Sequence, residues 1–214
     1  MPDPNHPPGF SRRSFMKTVG VSATVTTLSG IAEAHALARE QAEADKLFGP
    51  GPVAIAFTVN GKAVEVRVEP SMTLADALRL ELGLTGTKVI CDRGSCGGCC
   101  VIVNGKLANA CMTLVSDVQG ASITTVEGLA QGGKLDPVQE SFLRHDALQC
   151  GYCTPGFIVA TRVLLNDVPK PTLDQIKKAL GGNICRCGTY TNIFNAALEA
   201  SGQAPIMDQK GASE

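Results

Sequence analysis

Residues 53–68 read Val-Ala-Ile-Ala-Phe-Thr-Val-Asn-Gly-Lys-Ala-Val-Glu-Val-Arg-Val. Val53, Ile55 and Phe57 alternate along the first half, and Val64, Val66 and Val68 along the second, the period of a strand with one buried face. Asn60-Gly61 between them is a strong two-residue hairpin signal, because both positions of such a turn favour positive φ. Downstream, a short helix is expected near Thr73 to Leu82. Thr73 with Asp76 resembles a capping box, Leu74, Leu78 and Leu82 form an i, i+4 stripe, and Gly83 stops it. Cys100 to Val103, Asn104-Gly105 and Lys106 to Met112 form a second hairpin, and Ile123 to Val126 offers a last strand. Two hairpins around one helix are what a β-grasp sheet needs.

From about Gly128 the signals become helical. Asp136-Pro137 with Gln139 supplies an N-cap, a proline in the first turn and a capping-box partner. Thr154-Pro155 opens a second helix, Thr172 with Gln175 a third that stops at Gly181-Gly182, and a fourth is expected from about Thr191 to Ala200. Four short helices indicate a small bundle. The fold class expected is therefore α+β, with a β-grasp domain over 51–127 and a helical domain over 128–205, followed by a tail at 206–214.

Composition narrows the function. The chain has 214 residues, a formal charge of −1 and 44% apolar residues, with no Trp and two Tyr. That leaves no field to attract nucleic acid and few rings on which bases could stack. Three histidines, His6, His35 and His145, are too few for a His-rich catalytic metal site. No nucleophile–base pattern is legible among Ser, Asp and His, so no catalytic residue is expected on this chain.

Cysteine is the informative residue type. There are nine, all beyond residue 90 and in two groups. Cys91, Cys96 and Cys99 follow C-x4-C-x2-C, with Cys111 beyond, which is the plant-type ferredoxin spacing for a 2Fe–2S cluster. Gly94, Gly97 and Gly98 between the ligands let the backbone turn its N–H groups toward sulfur. No Walker or G-x-G-x-x-G pattern supports a phosphate loop instead. Cys100 starts a strand and should face away from Cys99, which reads as a small buried side chain rather than a ligand. The second group pairs Cys150-x2-Cys153 with Cys185-x-Cys187. By spacing alone these four suit either a cluster or a structural zinc site. Four disulfides are a further reading, but C-x-C and C-x-x-C pairs in glycine-rich loops suit metal capture better.

Three motifs then converge. Gln149-Cys150-Gly151-Tyr152-Cys153-Thr154-Pro155-Gly156, Gly182-Asn183-Ile184-Cys185-Arg186-Cys187 and Cys91-Asp92-Arg93-Gly94-Ser95-Cys96-Gly97-Gly98-Cys99 resemble signatures of the xanthine dehydrogenase/aldehyde oxidase family of molybdenum hydroxylases. Over about residues 53 to 200 the chain is similar to the small iron–sulfur subunit of periplasmic aldehyde oxidoreductases. The resemblance implies two 2Fe–2S clusters, one on Cys91, Cys96, Cys99 and Cys111 and one on Cys150, Cys153, Cys185 and Cys187. It implies a large molybdopterin-binding partner and an FAD-binding partner, with Gln149 and Cys187 approaching the pterin. The function implied is electron relay from the molybdenum centre toward a flavin. A free-standing two-cluster ferredoxin is the alternative. Two departures stand out: Gly188-Thr189-Tyr190 where many members have Thr-Gly-Tyr, and Cys100 where many have Thr.

The first fifty residues read as an address. Ser11-Arg12-Arg13-Ser14-Phe15-Met16-Lys17 precedes a mild apolar run, Thr18 to Ala34, and A-x-A sites at Ala32–Ala34 and Ala34–Ala36. This resembles a twin-arginine export signal over 1–36 with a linker over 37–50; an amphipathic anchor or a disordered tail is the plainer reading. Export of a folded, cofactor-loaded protein to the periplasm, without stable membrane insertion, is the expectation.

Overall fold

In the computed structural model, residues 51–206 are described. The expected export signal and linker, and the tail beyond 206, lie outside them. β1 (Val53–Val59) and β2 (Lys62–Val68) form the expected hairpin, with Val53 opposite Val68 and Val59 opposite Lys62. β3 (Cys100–Val103) pairs antiparallel with β4 (Lys106–Asn109). β5 (Ser122–Thr124) runs parallel to β1 and antiparallel to β3, giving a five-stranded mixed sheet in the order β2-β1-β5-β3-β4. Ile55, Phe57, Val66, Leu74, Leu78, Val101, Val115 and Ile123 close one core on a single face of this sheet.

Three local expectations need correction. The helix near Thr73 is one α-turn, α1 (Leu74–Asp76), which widens into a π-turn over Ala77–Glu81. The Arg79 guanidinium donates to the carbonyls of Thr85 and Thr87 at 3.0 and 2.9 Å, so a tertiary tether accompanies the wider turn. The capping box is also altered: the Thr73 hydroxyl donates to the Asp76 carboxylate at 2.8 Å while accepting the Asp76 N–H. The second hairpin ends at Asn109, and Ala110–Met112 form a 3₁₀ turn, so Cys111 sits on a turn and not on a strand. The last strand stops at Thr124, and Val126–Gly128 form another 3₁₀ turn.

The helical half follows its caps. α2 (Pro137–Arg144) starts at Asp136, whose side chain accepts from Val138 N while Gln139 accepts from the Asp136 N–H, both at 2.9 Å. α3 (Thr154–Asp167) has Pro155 in its first turn. α4 (Leu173–Ala179) carries a complete Thr172–Gln175 box, and α5 (Tyr190–Ala200) follows the turn that holds Cys185 and Cys187. Val138, Phe142, Phe157, Ile176, Leu180, Ile193 and Leu198 make the second core. Among the described residues, no helix is long and apolar enough to cross a membrane.

Strand alternation joins the halves. Cys99 and Val101 point into the first core, while Cys100 and Ile102 point to the other face and pack against Val159 of α3. α3 thus lies across β3, and residues 51–206 belong to one compact unit. Phe142 is 1% exposed in the second core. Phe142→Ala should lower unfolding stability by about 3–5 kcal/mol, read from the urea midpoint; an unshifted midpoint would place Phe142 outside the packed interior.

Candidate metal centres

The first group of cysteines hangs on the loop before β3. Cys91 interacts with Cys96, and Cys99 with Cys111, so the four thiols stand as two pairs. One loop holds both pairs. The Ser95 N–H donates to the Cys91 sulfur and the adjacent Gly94 N–H to the Cys111 sulfur, each at 3.3 Å. The 3₁₀ turn at Ala110–Met112 therefore supplies the fourth sulfur where a strand was expected. Backbone hydrogen bonding from Arg93 and the Cys96 thiol lower Cys91 to about 7. Burial, reinforced by Cys111, pushes Cys99 up to about 12. Burial likewise raises Cys100 to about 11. Cys100 faces the side of the sheet opposite Cys99, as its strand position requires, yet lies close enough to Cys96 and Cys111 to feel their charge, and donates to Asn109 Oδ1 at 3.6 Å.

The second group lies at the start of α3 and in the turn before α5. Cys153 is the residue preceding the helix, and its thiol pairs with that of Cys185; Cys150 lies close enough to repel Cys153 electrostatically. Burial comes first in raising Cys153 to about 12, with Cys185 adding to it. Burial also works against ionisation at Cys185, but hydrogen bonding from Thr189 and Cys153 outweighs it and brings Cys185 down to about 7. The Thr189 hydroxyl shares a 3.1 Å hydrogen bond with the Cys185 sulfur. This resolves the Gly188-Thr189 departure: Gly188 takes φ +82°, which suits glycine, and the turn aims Thr189 back at sulfur. Gln149, Cys150, Tyr152, Ile184 and Cys187 are exposed, whereas Cys185 is buried. Cys187 makes no hydrogen bond to the other three sulfurs among the described residues.

The donor set fits paired irons. All nine cysteines are free thiols, against the disulfide reading. Among the described residues no three His, Cys, Asp or Glu side chains gather closely enough to hold a single metal ion; Cys91 pairs with Cys96, Cys99 with Cys111 and Cys153 with Cys185. A 2Fe–2S group uses four thiolates across two irons. N–H groups directed at sulfur, as at Gly94 and Ser95, stabilise the negative charge such a group carries. Beside Cys153, the buried Thr154 hydroxyl has no hydrogen-bond partner. A group held there would meet an unsatisfied donor.

Three residues without an assigned role in the sequence reading belong to these sites. Thr189 touches sulfur. Asn183, 5% exposed, donates to the Gly97 carbonyl at 3.1 Å. Gly156 packs on that same carbonyl, where a Cβ would collide with the oxygen. Asn183 and Gly156 stand inside the cysteine motifs, but their partner lies far off in sequence and no local pattern marks it.

Comparison with known proteins agrees with this arrangement. Residues 57–122 match a 2Fe–2S iron–sulfur cluster binding domain, and residues 125–198 match a [2Fe–2S] binding domain. The chain is 43% identical over 171 residues to the aldehyde oxidoreductase iron–sulfur-binding subunit PaoA of Escherichia coli strain K12, covering 72% of this chain and 75% of that one. It is 49% identical over 152 residues to a probable xanthine dehydrogenase subunit of Bacillus subtilis strain 168, covering 70% and 87%. Among solved structures, it is similar to a chain of quinoline 2-oxidoreductase from Pseudomonas putida 86, with a TM-score of 0.67, 44% identity and coverage of 72% and 99%. With both domain models in sequence order and these identities over most of each relative, the chain belongs to the 2Fe–2S subunits of the aldehyde oxidoreductase/xanthine dehydrogenase family.

Proposed function

We propose that this chain is the electron-transfer subunit of an exported, molybdenum-dependent aldehyde (or related) oxidoreductase. It carries one 2Fe–2S cluster on Cys91, Cys96, Cys99 and Cys111 and a second on Cys150, Cys153, Cys185 and Cys187. The observation that carries this reading is the pairing of sulfurs in two separate loops of one compact unit, with N–H groups of Gly94 and Ser95 turned toward the first set. When bound, such clusters accept and give single electrons, so a chain with two suits a donor that delivers electrons in pairs.

The chain's own residues have defined tasks in this reading. The eight thiolates hold iron, the loop amides and the Thr189 hydroxyl temper the charge on sulfur, and the two cores keep the loops fixed. The hairpin–helix–hairpin order supports a β-grasp, ferredoxin-like first domain over 51–127, and the four capped helices support a small bundle over 128–205. Exposed Gln149, Tyr152, Ile184 and Cys187 are suited to face a large molybdopterin-binding partner, with Gln149 and Cys187 nearest the pterin. Ile90, Met112 and Leu114, exposed beside Cys91 and Cys111, are suited to an FAD-binding partner. That apolar surface beside both sites weighs against a free-standing ferredoxin, as do relatives that are named as subunits. The Arg12–Arg13 motif supports twin-arginine export to the periplasm.

Purified protein should be red-brown and hold about four iron and four sulfide per chain. Colourless, zinc-filled protein would end the proposal. Cys185→Ser should remove one of two EPR signals from the reduced protein and leave the other; loss of both would mean that the loops do not bind independently. Arg12→Lys combined with Arg13→Lys should leave the protein in the cytoplasm, and an unchanged periplasmic fraction would remove the export reading.

A further inference from the structure

Successive peptides of the first loop address different sulfurs. The Gly94 N–H donates to the Cys111 sulfur and the Ser95 N–H to the Cys91 sulfur, each at 3.3 Å. The carbonyl on the far edge of each peptide is held by a side chain. The Ser95 hydroxyl donates to the Arg93 carbonyl at 3.3 Å, and Asn109 Nδ2 donates to the Gly94 carbonyl, also at 3.3 Å. Ser95 is exposed, so water competes for its partner, whereas the Asn109 bond is partly buried. Gly94 stands between the two peptides at φ +69°, and a glycine backbone resists rotation little. Asn109 supplies the resistance that the Gly94–Ser95 peptide lacks. Asn109 is itself held. It lies opposite Cys100 in the β3–β4 ladder, and its Oδ1 accepts from the Cys100 thiol at 3.6 Å. A carbonyl can only accept, so the amide must turn its nitrogen to Gly94 and its oxygen to Cys100, which makes the thiol the donor. The Cys100 sulfur in turn lies 3.9 Å from Asn183 Nδ2. Donors and acceptors thus run one way, from Asn183 to Cys100, from Cys100 to Asn109, from Asn109 to the Gly94 carbonyl, and from the Ser95 N–H to the Cys91 sulfur. Hydrogen bonds aligned in this sense polarise one another, and each strengthens the next.

We propose that Asn109, with Cys100 behind it, is a positioning residue that raises the reduction potential of the group on Cys91, Cys96, Cys99 and Cys111 by holding the Ser95 N–H on the Cys91 sulfur. The inference rests on the two-cluster reading above. Uptake of one electron adds negative charge at the sulfurs, and a donor aimed at sulfur stabilises the reduced form more than the oxidised one. The electron comes from an external reductant, which is oxidised. No bond forms or breaks.

The test is a dithionite titration of the iron-loaded full chain, with EPR following each signal against the solution potential. The signal that survives in Cys185→Ser identifies the first group. Asn109→Leu keeps a side chain of similar size but removes both its donor and its acceptor. It should weaken one-electron reduction of the first group about tenfold, the scale of one hydrogen bond, which is a fall of about 59 mV. Cys100→Ala should lower the same potential by less, and Cys100→Ser, which restores a donor, should bring it back toward the wild-type value. Ser95→Ala should shift it less than Asn109→Leu does. The second signal should keep its potential in all four variants. An iron-replete Asn109→Leu chain whose first potential is unchanged or higher would overturn the proposal, as would an equal fall in both potentials. If Asn109→Leu fails to load iron, Cys100→Ala and Cys100→Ser decide, and identical potentials in that pair would overturn it. A wild-type chain with a single EPR signal would overturn the two-cluster reading itself, and this inference with it.

Discussion

Close contact between two backbones, possible only where side chains are missing, is the constraint on which the rest of the structure depends. Gly97 sits at φ +67° beneath Asn183, and Gly156 meets its carbonyl from α3. Because Gly156 has no Cβ, the helix after Cys153 packs directly on the Gly97 carbonyl, and the Ile184 N–H reaches the neighbouring Cys96 carbonyl at 2.9 Å. The sheet supplies one wall of this seam through Cys100 and Ile102, and α3 supplies the other through Val159. Without that contact, each half would still have a core of its own, but nothing would hold the two cysteine loops in register.

Electrostatics within the sulfur pairs complements the packing. Cys185 is held near 7 and its partner Cys153 near 12, so at neutral pH one thiol gives up its proton readily and the other keeps it. Two adjacent thiolates repel each other, and burial costs each of them hydration as well. A bound cation reverses both penalties and displaces the remaining proton. A pair with one readily ionised thiol and one protonated thiol is thus an arrangement that a bound cation would convert fully into ligands. The same contrast, between Cys91 near 7 and Cys99 near 12, exists across the two pairs of the first loop.

Features set by near neighbours in the chain were legible before any coordinates. The Asn60-Gly61 hairpin, the Asp136–Gln139 and Thr172–Gln175 boxes and the cysteine spacings depend on residues within a few positions of one another. Strand alternation correctly turned Cys100 away from Cys99. What sequence did not reveal arises from contacts between distant segments. The π-turn at Ala77–Glu81 goes with a guanidinium reaching ahead to Thr85 and Thr87, and the turn carrying Cys111 goes with a sulfur accepting the Gly94 N–H. Asn183 reads as an ordinary loop asparagine until its partner, 86 residues earlier, is known.

The position of β5 has a consequence for biosynthesis. This strand is the last of the sheet to be made, yet it lies in the middle, between β1 and β3. During translation the two hairpins can each form as they emerge, but they have no shared partner until Ser122–Thr124 leaves the ribosome. Such non-local closure is slow relative to hairpin formation. The loop with Cys91, Cys96 and Cys99 therefore spends its first moments on an unfinished scaffold, and under the two-cluster proposal iron delivery to it would have to wait for the central strand.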